Sequence, residues 1–552
     1  MAPLNPRTSL ATHDVTNQPP PFENVNLFAT DRPLVQAVAR EGAESHKQHL
    51  STFGARVGSA EVIGWGFEAN RNAPELKTFD RYGARIDEVN FHPAYHKLMD
   101  VGLSCGFASI AWTAKTGGHV AHAALLYLMA QVEQGVCCPM TMTYAALPAL
   151  RHQGDIAQEW EPRITGGVYD PSSQPASQKR GATIGMAMTE KQGGSDVRAN
   201  TTKAAPIGDG AFSLTGHKWF CSAPMCDAFL TLAYTDKGLT CFLVPRWKPD
   251  GERNAMQIMR LKDKLGDRAN ASSEIEYHGA YARRLGEEGR GVRTIIEMVH
   301  HTRLDCTVAP AAYMRQAFAQ ALWHTSHRTA FQKKLIDQPL MARVLADLAL
   351  ESEAATTLAF RIARSFDESN NEAAALFSRI ATPIGKYWLN KRVVNFVYEA
   401  MECHGGAGYV EESILPRLYR QSPLNSIWEG SGNVICLDVL RAMSREPESV
   451  EAFFAEVDLG LGSDRVLDAF VASLKNDLDC LKKSPSDVEN QARRLVERMA
   501  LALQGSLLVR HSPKFVADAF CASRLAGDWG RAFGTLPSGS DLNQIIQRAQ
   551  IT

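Results

Sequence analysis

Apolar positions set the first division of the chain. Through residues 1–180 they recur at i, i+3 and i+4, the period of helices with one face against a core. The stretches RPLVQAVAREGAESHKQHLSTFG (32–54), NFHPAYHKLMDVGLSCG (90–106) and HVAHAALLYLMAQVEQG (119–135) carry it, with Gly54 as the expected stop of the first. The texture changes at Gly181. GATIGMAMTE, AFSLTGHKWFCS, FLTLAYT, LTCFLVPRW and SSEIEYHGA are short, rich in strand formers and separated by Gly, Asp or Pro, which predicts a β domain over 181–290. The helical period returns over 291–443, with long segments such as MARVLADLALESEAATTLAFRIARSF. After the linker-like SREPES, four amphipathic segments predict an extra helical domain over 444–552. The expected class is α+β, mainly α, in the order helical, β, helical, helical.

Composition narrows the partners little. The 552 residues are 45% hydrophobic and 22% charged with a formal net charge of -1, so a nucleic-acid surface has to be a local patch. The 11 cysteines form no C-x-x-C pair and read as reduced thiols, with no disulfide framework and no metal site. The N-terminal MAPLNPRTSLATHDVTNQPPP is too polar for a signal peptide, and no apolar run reaches membrane-spanning length. A cytoplasmic chain with no integral membrane association is expected.

Three stretches could carry chemistry. MTEKQGGSDV (188–197) ends a strand in a Gly-Gly-Ser-Asp turn; it reads as a plain turn or as a nest of N–H groups for an anion. TGHKWFCSAP (215–224) offers Trp219 and Phe220 either to the core or as a wall for a flat ligand, with Ser222 beside them. NSIWEGSGN (425–433) places Glu429 before an apolar helix, with Ser431 or Asn433 as N-cap. Glu429 is there either a charge suited to the helix dipole or a placed catalytic carboxylate.

In order and spacing, MTEKQGGSDV, HKWFCS, LKDKLG, EEGRGV, HGGAGY, RLYR and IWEGSGN resemble the acyl-CoA dehydrogenase family over residues 90–443. THDVTNQPPPFENVNLF, FHPAYH, CPMTMTYAA and the C-terminal extension extend the resemblance to a bacterial branch induced by alkylating agents. It implies a helical domain, a middle β domain and a four-helix domain, FAD, a homotetramer, and an acyl-CoA or other small substrate. By the same resemblance Met186, Met188, Thr189, Gly193, Gly194, Ser195, Phe220, Ser222, Trp428, Gly430, Ser431 and Asn433 hold FAD. Phe220 falls where many relatives have tryptophan, and Ser222 where they have threonine. Arg328 would reach the FAD of a neighbouring subunit, although Gln332 replaces the glycine that follows in relatives. Glu429 matches the base that removes the substrate α-proton; the position that carries the base in some relatives is Thr302, which cannot serve.

The branch also implies weak isovaleryl-CoA dehydrogenation and sequence-independent binding of double-stranded DNA through the extension, in the adaptive response to alkylation damage. By this resemblance Lys482, Lys483, Arg493, Arg494, Arg498, Arg510, Lys514 and Arg524 are the candidate phosphate contacts; as bare sequence they read as a solvated helix face. The alternatives are a metabolic dehydrogenase of short or branched acyl-CoA and a membrane-associated very-long-chain type, the latter on the basic, amphipathic RRLVERMALALQGSLLVR.

Overall fold

The structure, a computed structural model, describes residues 6–483 and 487–551. The N-terminal region is helical, as its periodicity demands. Gly118–Ala130 is buried along its whole length and Cys137–Leu150 nearly so; both pack against the long helix Gly291–His327. Gly54 does not stop its helix, which runs Lys47–Val57. A Cβ there would meet Asn26 and Phe28 at 2.7 Å, so this glycine allows close packing. A hairpin not read from the sequence interrupts the helices: β1 (Glu75–Phe79) pairs antiparallel with β2 (Arg85–Asn90). Its turn is made by Asp80, whose Oδ1 accepts from the N–H groups of Tyr82 and Ala84.

The β domain contains β3 (Ile184–Ala187), β4 (Lys203–Gly208), β5 (Ala211–Ser222), β6 (Ala228–Thr235), β7 (Gly238–Pro245), β8 (Met256–Leu261) and β9 (Ser272–Leu285). The order is β3-β6-β4-β5-β9-β7, with β8 on β9, and β7 also pairs with β6. The pairing therefore closes on itself, and the interior strands need no exposed edge. Phe229, Leu230, Leu232, Phe242 and Leu243 are buried on the two faces of these strands.

The helical bundle is Gly291–His327, Pro339–Asp367, Glu372–Glu402 and Gly432–Arg445. The extension follows as Glu448–Asp458, Arg465–Lys483, Val488–His511 and Lys514–Phe520, with a last helix at Leu542–Ala549. It is packed onto the bundle. Trp388 Nε1 donates to Gln504 Oε1 at 2.9 Å, and Glu456 is bound by Arg361 at 2.6 Å and by Arg510. Arg548 meets Glu353 at 2.8 Å. Arg524 donates to Asp347 and, at 2.9 Å, to Glu351, which also binds Arg392 at 2.8 Å. Glu351 is held at an unusually low pKa by Arg392 and Arg524, against the desolvation of a fully buried carboxylate.

Removing one member of a buried ionic cluster leaves the others uncompensated. Arg524→Met is expected to lower the unfolding free energy by about 3–5 kcal/mol. Denaturant unfolding of the purified variant checks this.

Candidate active site

Glu429 lies on the turn between Leu424–Ser426 and the helix Gly432–Arg445. Its φ is +56°, a left-handed value that non-glycine residues seldom adopt, and Gly430 follows at +102°. The helix begins with Ser431 as N-cap, but without a side-chain capping bond. Among the described residues the Glu429 carboxylate accepts no helix N–H. Instead Thr302 Oγ1, from the middle of the first bundle helix, donates to Glu429 Oε2 at 2.7 Å. No capping bond from this carboxylate is therefore seen among the described residues, although its charge stands two residues before the N-cap Ser431. The threonine at the alternative base position is a partner of the carboxylate.

Burial raises the pKa of Glu429 above the usual carboxylate range; the Thr302 bond and the charges of Arg303 and Lys386 pull the other way. Arg303 Nε donates to Glu429 O at 3.0 Å and Nη1 to Asp438 at 2.8 Å. Lys386 Nζ donates to Trp428 O at 3.0 Å and Gly430 O at 2.8 Å. The Trp428 indole is fixed by Asn425 Oδ1 at 2.6 Å. The sequence reading passed over Lys386. Its one signal was a lysine in the buried stripe of an apolar helix, between Ile384 and Leu389.

The turn after β3 is organised by Glu190, which is fully buried. Its carboxylate accepts from Thr201 N at 2.6 Å, Thr202 Oγ1 at 2.6 Å, Lys218 Nζ at 2.9 Å and Gln192 Nε2 at 2.8 Å. These bonds hold its pKa far below the ordinary range. The turn is pinned further by Asn200 Nδ2 on Met188 O at 3.1 Å and by Trp219 N on Thr189 O at 2.7 Å. Gly194 is required, since a Cβ there would lie 2.3 Å from Thr189 Oγ1. The hydroxyls of Thr189 and Ser195 have no hydrogen-bond partner among the described residues.

Phe220 stands 51% exposed at the edge of this strand, with the Lys262 ammonium 4.6 Å from its ring centre. Ser222 Oγ is 3.2 Å from Ser272 Oγ, which also receives Lys264 Nζ at 3.2 Å. Two residues on, a Cβ at Gly266 would strike Arg420 O at 2.6 Å. The LKDKLG loop thus fastens the Ser222 end of the β domain to the segment that leads into Glu429. Met186 is half-buried on β3. Ser431 and Asn433 are exposed, with no side-chain bonds among the described residues.

Arg328 donates to Asn17 O of its own chain at 2.6 Å. It begins the hairpin whose tip holds Phe331, 93% exposed, and Gln332 at φ +65°. That left-handed value explains why glycine suits the position.

The basic residues of the extension divide. Arg524 is buried between carboxylates, so it is not a phosphate contact; Arg510 on Glu456 and Arg498 on Asp477 are likewise committed. Lys482 and Lys483 end the helix Arg465–Lys483, and Arg493 and Arg494 lie near the start of Val488–His511; all four are exposed, with Lys482 paired to Asp479 at 3.2 Å and Arg494 to Asp477 at 3.9 Å. Arg493 also donates to Tyr387 OH at 3.0 Å. Lys514 is exposed and paired with Asp518 at 2.8 Å.

Residues 17–171 match the adaptive response protein AidB N-terminal domain, 185–280 the acyl-CoA dehydrogenase middle domain and 289–444 the acyl-CoA dehydrogenase C-terminal domain. The chain is 45% identical to the putative acyl-CoA dehydrogenase AidB of Escherichia coli K12, over 92% of this chain and 94% of that protein. The chain belongs to the acyl-CoA dehydrogenase family. Its members are FAD-dependent oxidoreductases. Acyl-CoA dehydrogenase family member 11 of Caenorhabditis elegans is 32% identical over 85% of this chain and 77% of its own length. The crystal structure of C. elegans ACDH-11 in complex with C11-CoA superposes with a TM-score of 0.82 at 27% identity, covering 99% of this chain and 94% of that one. An acyl-CoA dehydrogenase from Bacillus anthracis complexed with FAD shares the fold, with a TM-score of 0.67 at 16% identity over 92% and 85% of the two chains.

The residues present fit the family's flavin. Phe220 offers an exposed ring to a flat ligand, Thr189 and Ser195 offer unpartnered hydroxyls, and Gly193 leaves the backbone open to close approach. This fit depends on Glu190. Glu190→Gln is expected to destabilise the protein by about 3–5 kcal/mol, by leaving Lys218 unpaired, and to lower flavin occupancy. Thermal unfolding and the visible flavin spectrum of the variant check both effects.

Proposed function

We propose that the protein is an acyl-CoA-oxidising flavoprotein with Glu429 as its catalytic base, acting in the response to DNA alkylation and binding duplex DNA through its extension. The observation that carries the catalytic part is the half-buried Glu429 carboxylate, its pKa raised by desolvation, bound by Thr302 at 2.7 Å and accepting no helix N–H among the described residues. Such a group takes the α-proton of an acyl thioester while the β-hydrogen leaves with its electron pair, so that the substrate becomes the α,β-unsaturated thioester. FAD, when bound, supplies the acceptor for that hydride. Thr189, Gly193, Gly194, Ser195, Phe220 and Ser222 would hold it from the β domain, and Trp428, Gly430, Ser431 and Asn433 from the bundle. A homotetramer accords with the exposed Phe331 tip, which suits a contact with another subunit.

Support for DNA binding is that Lys482, Lys483, Arg493 and Arg494 are all exposed, on the end of one helix of the extension and the start of the next. Contacts of this kind neutralise phosphates without reading sequence, and several copies in an oligomer add avidity. No helix among the described residues is long and apolar enough to cross a membrane.

Two experiments test this reading. A panel of short, branched and long acyl-CoA esters is mixed with the holoprotein under anaerobic conditions and flavin bleaching followed. At least one ester bleaches wild type, and Glu429→Gln slows this by about 10²-fold or more. The rate rises with pH through an apparent pKa above the usual glutamate range, because only the ionised carboxylate accepts the proton. A panel that leaves the flavin oxidised defeats the dehydrogenase part. Binding to labelled duplex DNA at graded salt tests the other part. Replacing Lys482, Lys483 and Arg494 together by alanine weakens binding for every sequence and reduces the salt slope by about three, whereas Arg498→Ala changes the slope little. Wild-type protein that fails to bind duplex DNA at low salt defeats the DNA part. In an alkylation-survival assay, loss of protection in the Glu429 variant alone assigns the task to flavin chemistry, and in the triple variant alone to DNA shielding.

A further inference from the structure

Three successive carbonyls around Glu429 are each bound by a cationic side chain. Lys386 takes Trp428 O and Gly430 O, at 3.0 and 2.8 Å, and Arg303 takes Glu429 O at 3.0 Å. The carbonyls alternate between the two cations as the chain passes through positive φ at Glu429 and Gly430. Lys386 is 1% exposed and makes no ion pair among the described residues. Lysine is rarely buried so deeply unless it is paired. A residue that served packing alone would be apolar, because burying an ammonium costs solvation that an aliphatic side chain keeps. The turn that carries it is itself fastened: Asn390 Nδ2 donates to Lys386 O at 2.7 Å and to Cys306 O at 2.8 Å, tying this helix to the one that bears Thr302 and Arg303.

We propose that Lys386 is a positioning residue for Glu429, holding the peptide groups on either side of the base so that the left-handed turn aims its carboxylate at Thr302 and the substrate α-carbon. The inference rests on the base reading above. Its second consequence is electrostatic. The groups around the carboxylate are Thr302, Arg303 and Cys306 from the first bundle helix, Lys386 from the third, and Asp438 behind Arg303. Arg303 already shares its charge with Asp438, whereas Lys386 has no carboxylate of its own. Burial lowers the pKa of Lys386 to about 8, so below that pH its charge favours the ionised carboxylate.

The test uses FAD-loaded wild type, Glu429→Gln, Lys386→Met and Lys386→Arg, with isovaleryl-CoA or whichever ester of the panel bleaches wild type. Lys386→Met, with its flavin spectrum retained, is expected to reduce about 10²-fold more slowly, with the rising limb of the pH profile moved to higher pH. Lys386→Arg keeps the cation and misplaces the turn, so it is slowed about tenfold with the limb in place. Infrared titration of the carboxyl band, identified by its loss in Glu429→Gln, gives the same upward move in Lys386→Met without turnover. A lysine needed only for folding would lower yield and leave both limb and band where they are. A folded Lys386→Met variant with the wild-type rate and limb overturns the proposal. If that variant does not fold, Lys386→Arg decides, and the wild-type rate there overturns it. Should Glu429→Gln reduce its flavin as fast as wild type, the base reading fails first and separately.

Discussion

In the proposed reading Glu429 takes a proton from carbon, so its carboxylate has to leave bulk water without losing its charge, and the surrounding structure is arranged around that conflict. Desolvation raises the pKa of Glu429. The fold answers with a hydroxyl at 2.7 Å and two cations that do not touch the carboxylate at all. Arg303 and Lys386 bind the backbone on which Glu429 stands. Their charges act through space, while the carboxylate keeps a lone pair and a face for the substrate.

That arrangement needs elements far apart in sequence. Thr302, Arg303 and Cys306 come from one long helix, Lys386 and Asn390 from another, and Asp438 from the helix that follows the turn. The bundle fixes these helices, and the extension in turn braces the bundle through Glu456, Glu351 and Glu353, each matched by arginine. A segment whose sequence looks like an attached domain is therefore part of the scaffold behind the base. The β domain repeats the same physics at Glu190, where a buried carboxylate gathers threonines and Lys218 to shape a glycine turn.

Much of this was legible in the chain. The helical and strand periods mark the β domain and the bundle because each buries one face. The motifs at 188–197 and 425–433 mark both halves of the site, because turns that approach a ligand need glycine. The hairpin at 75–90 was not legible: its strands are five and six residues long, and although their burial alternates, no residue of β1 is buried, so the apolar signal is short and weak. The roles of the extension's arginines were not legible either. Arg494 and Arg524 look alike in sequence, yet one is exposed and the other lies between Asp347 and Glu351.

By itself the sequence determined the family and the fold class and singled out Glu429 as the proposed base, since these depend on local periodicity and on residue types at fixed spacing. Tertiary structure alone decided which charges are free and which are consumed. It also decided that Thr302 partners the Glu429 carboxylate, and that a lysine on a helix more than forty residues away in the chain binds the backbone on either side of it. Charge pairing and desolvation depend on what lies across a helix interface, and no spacing along one chain records that.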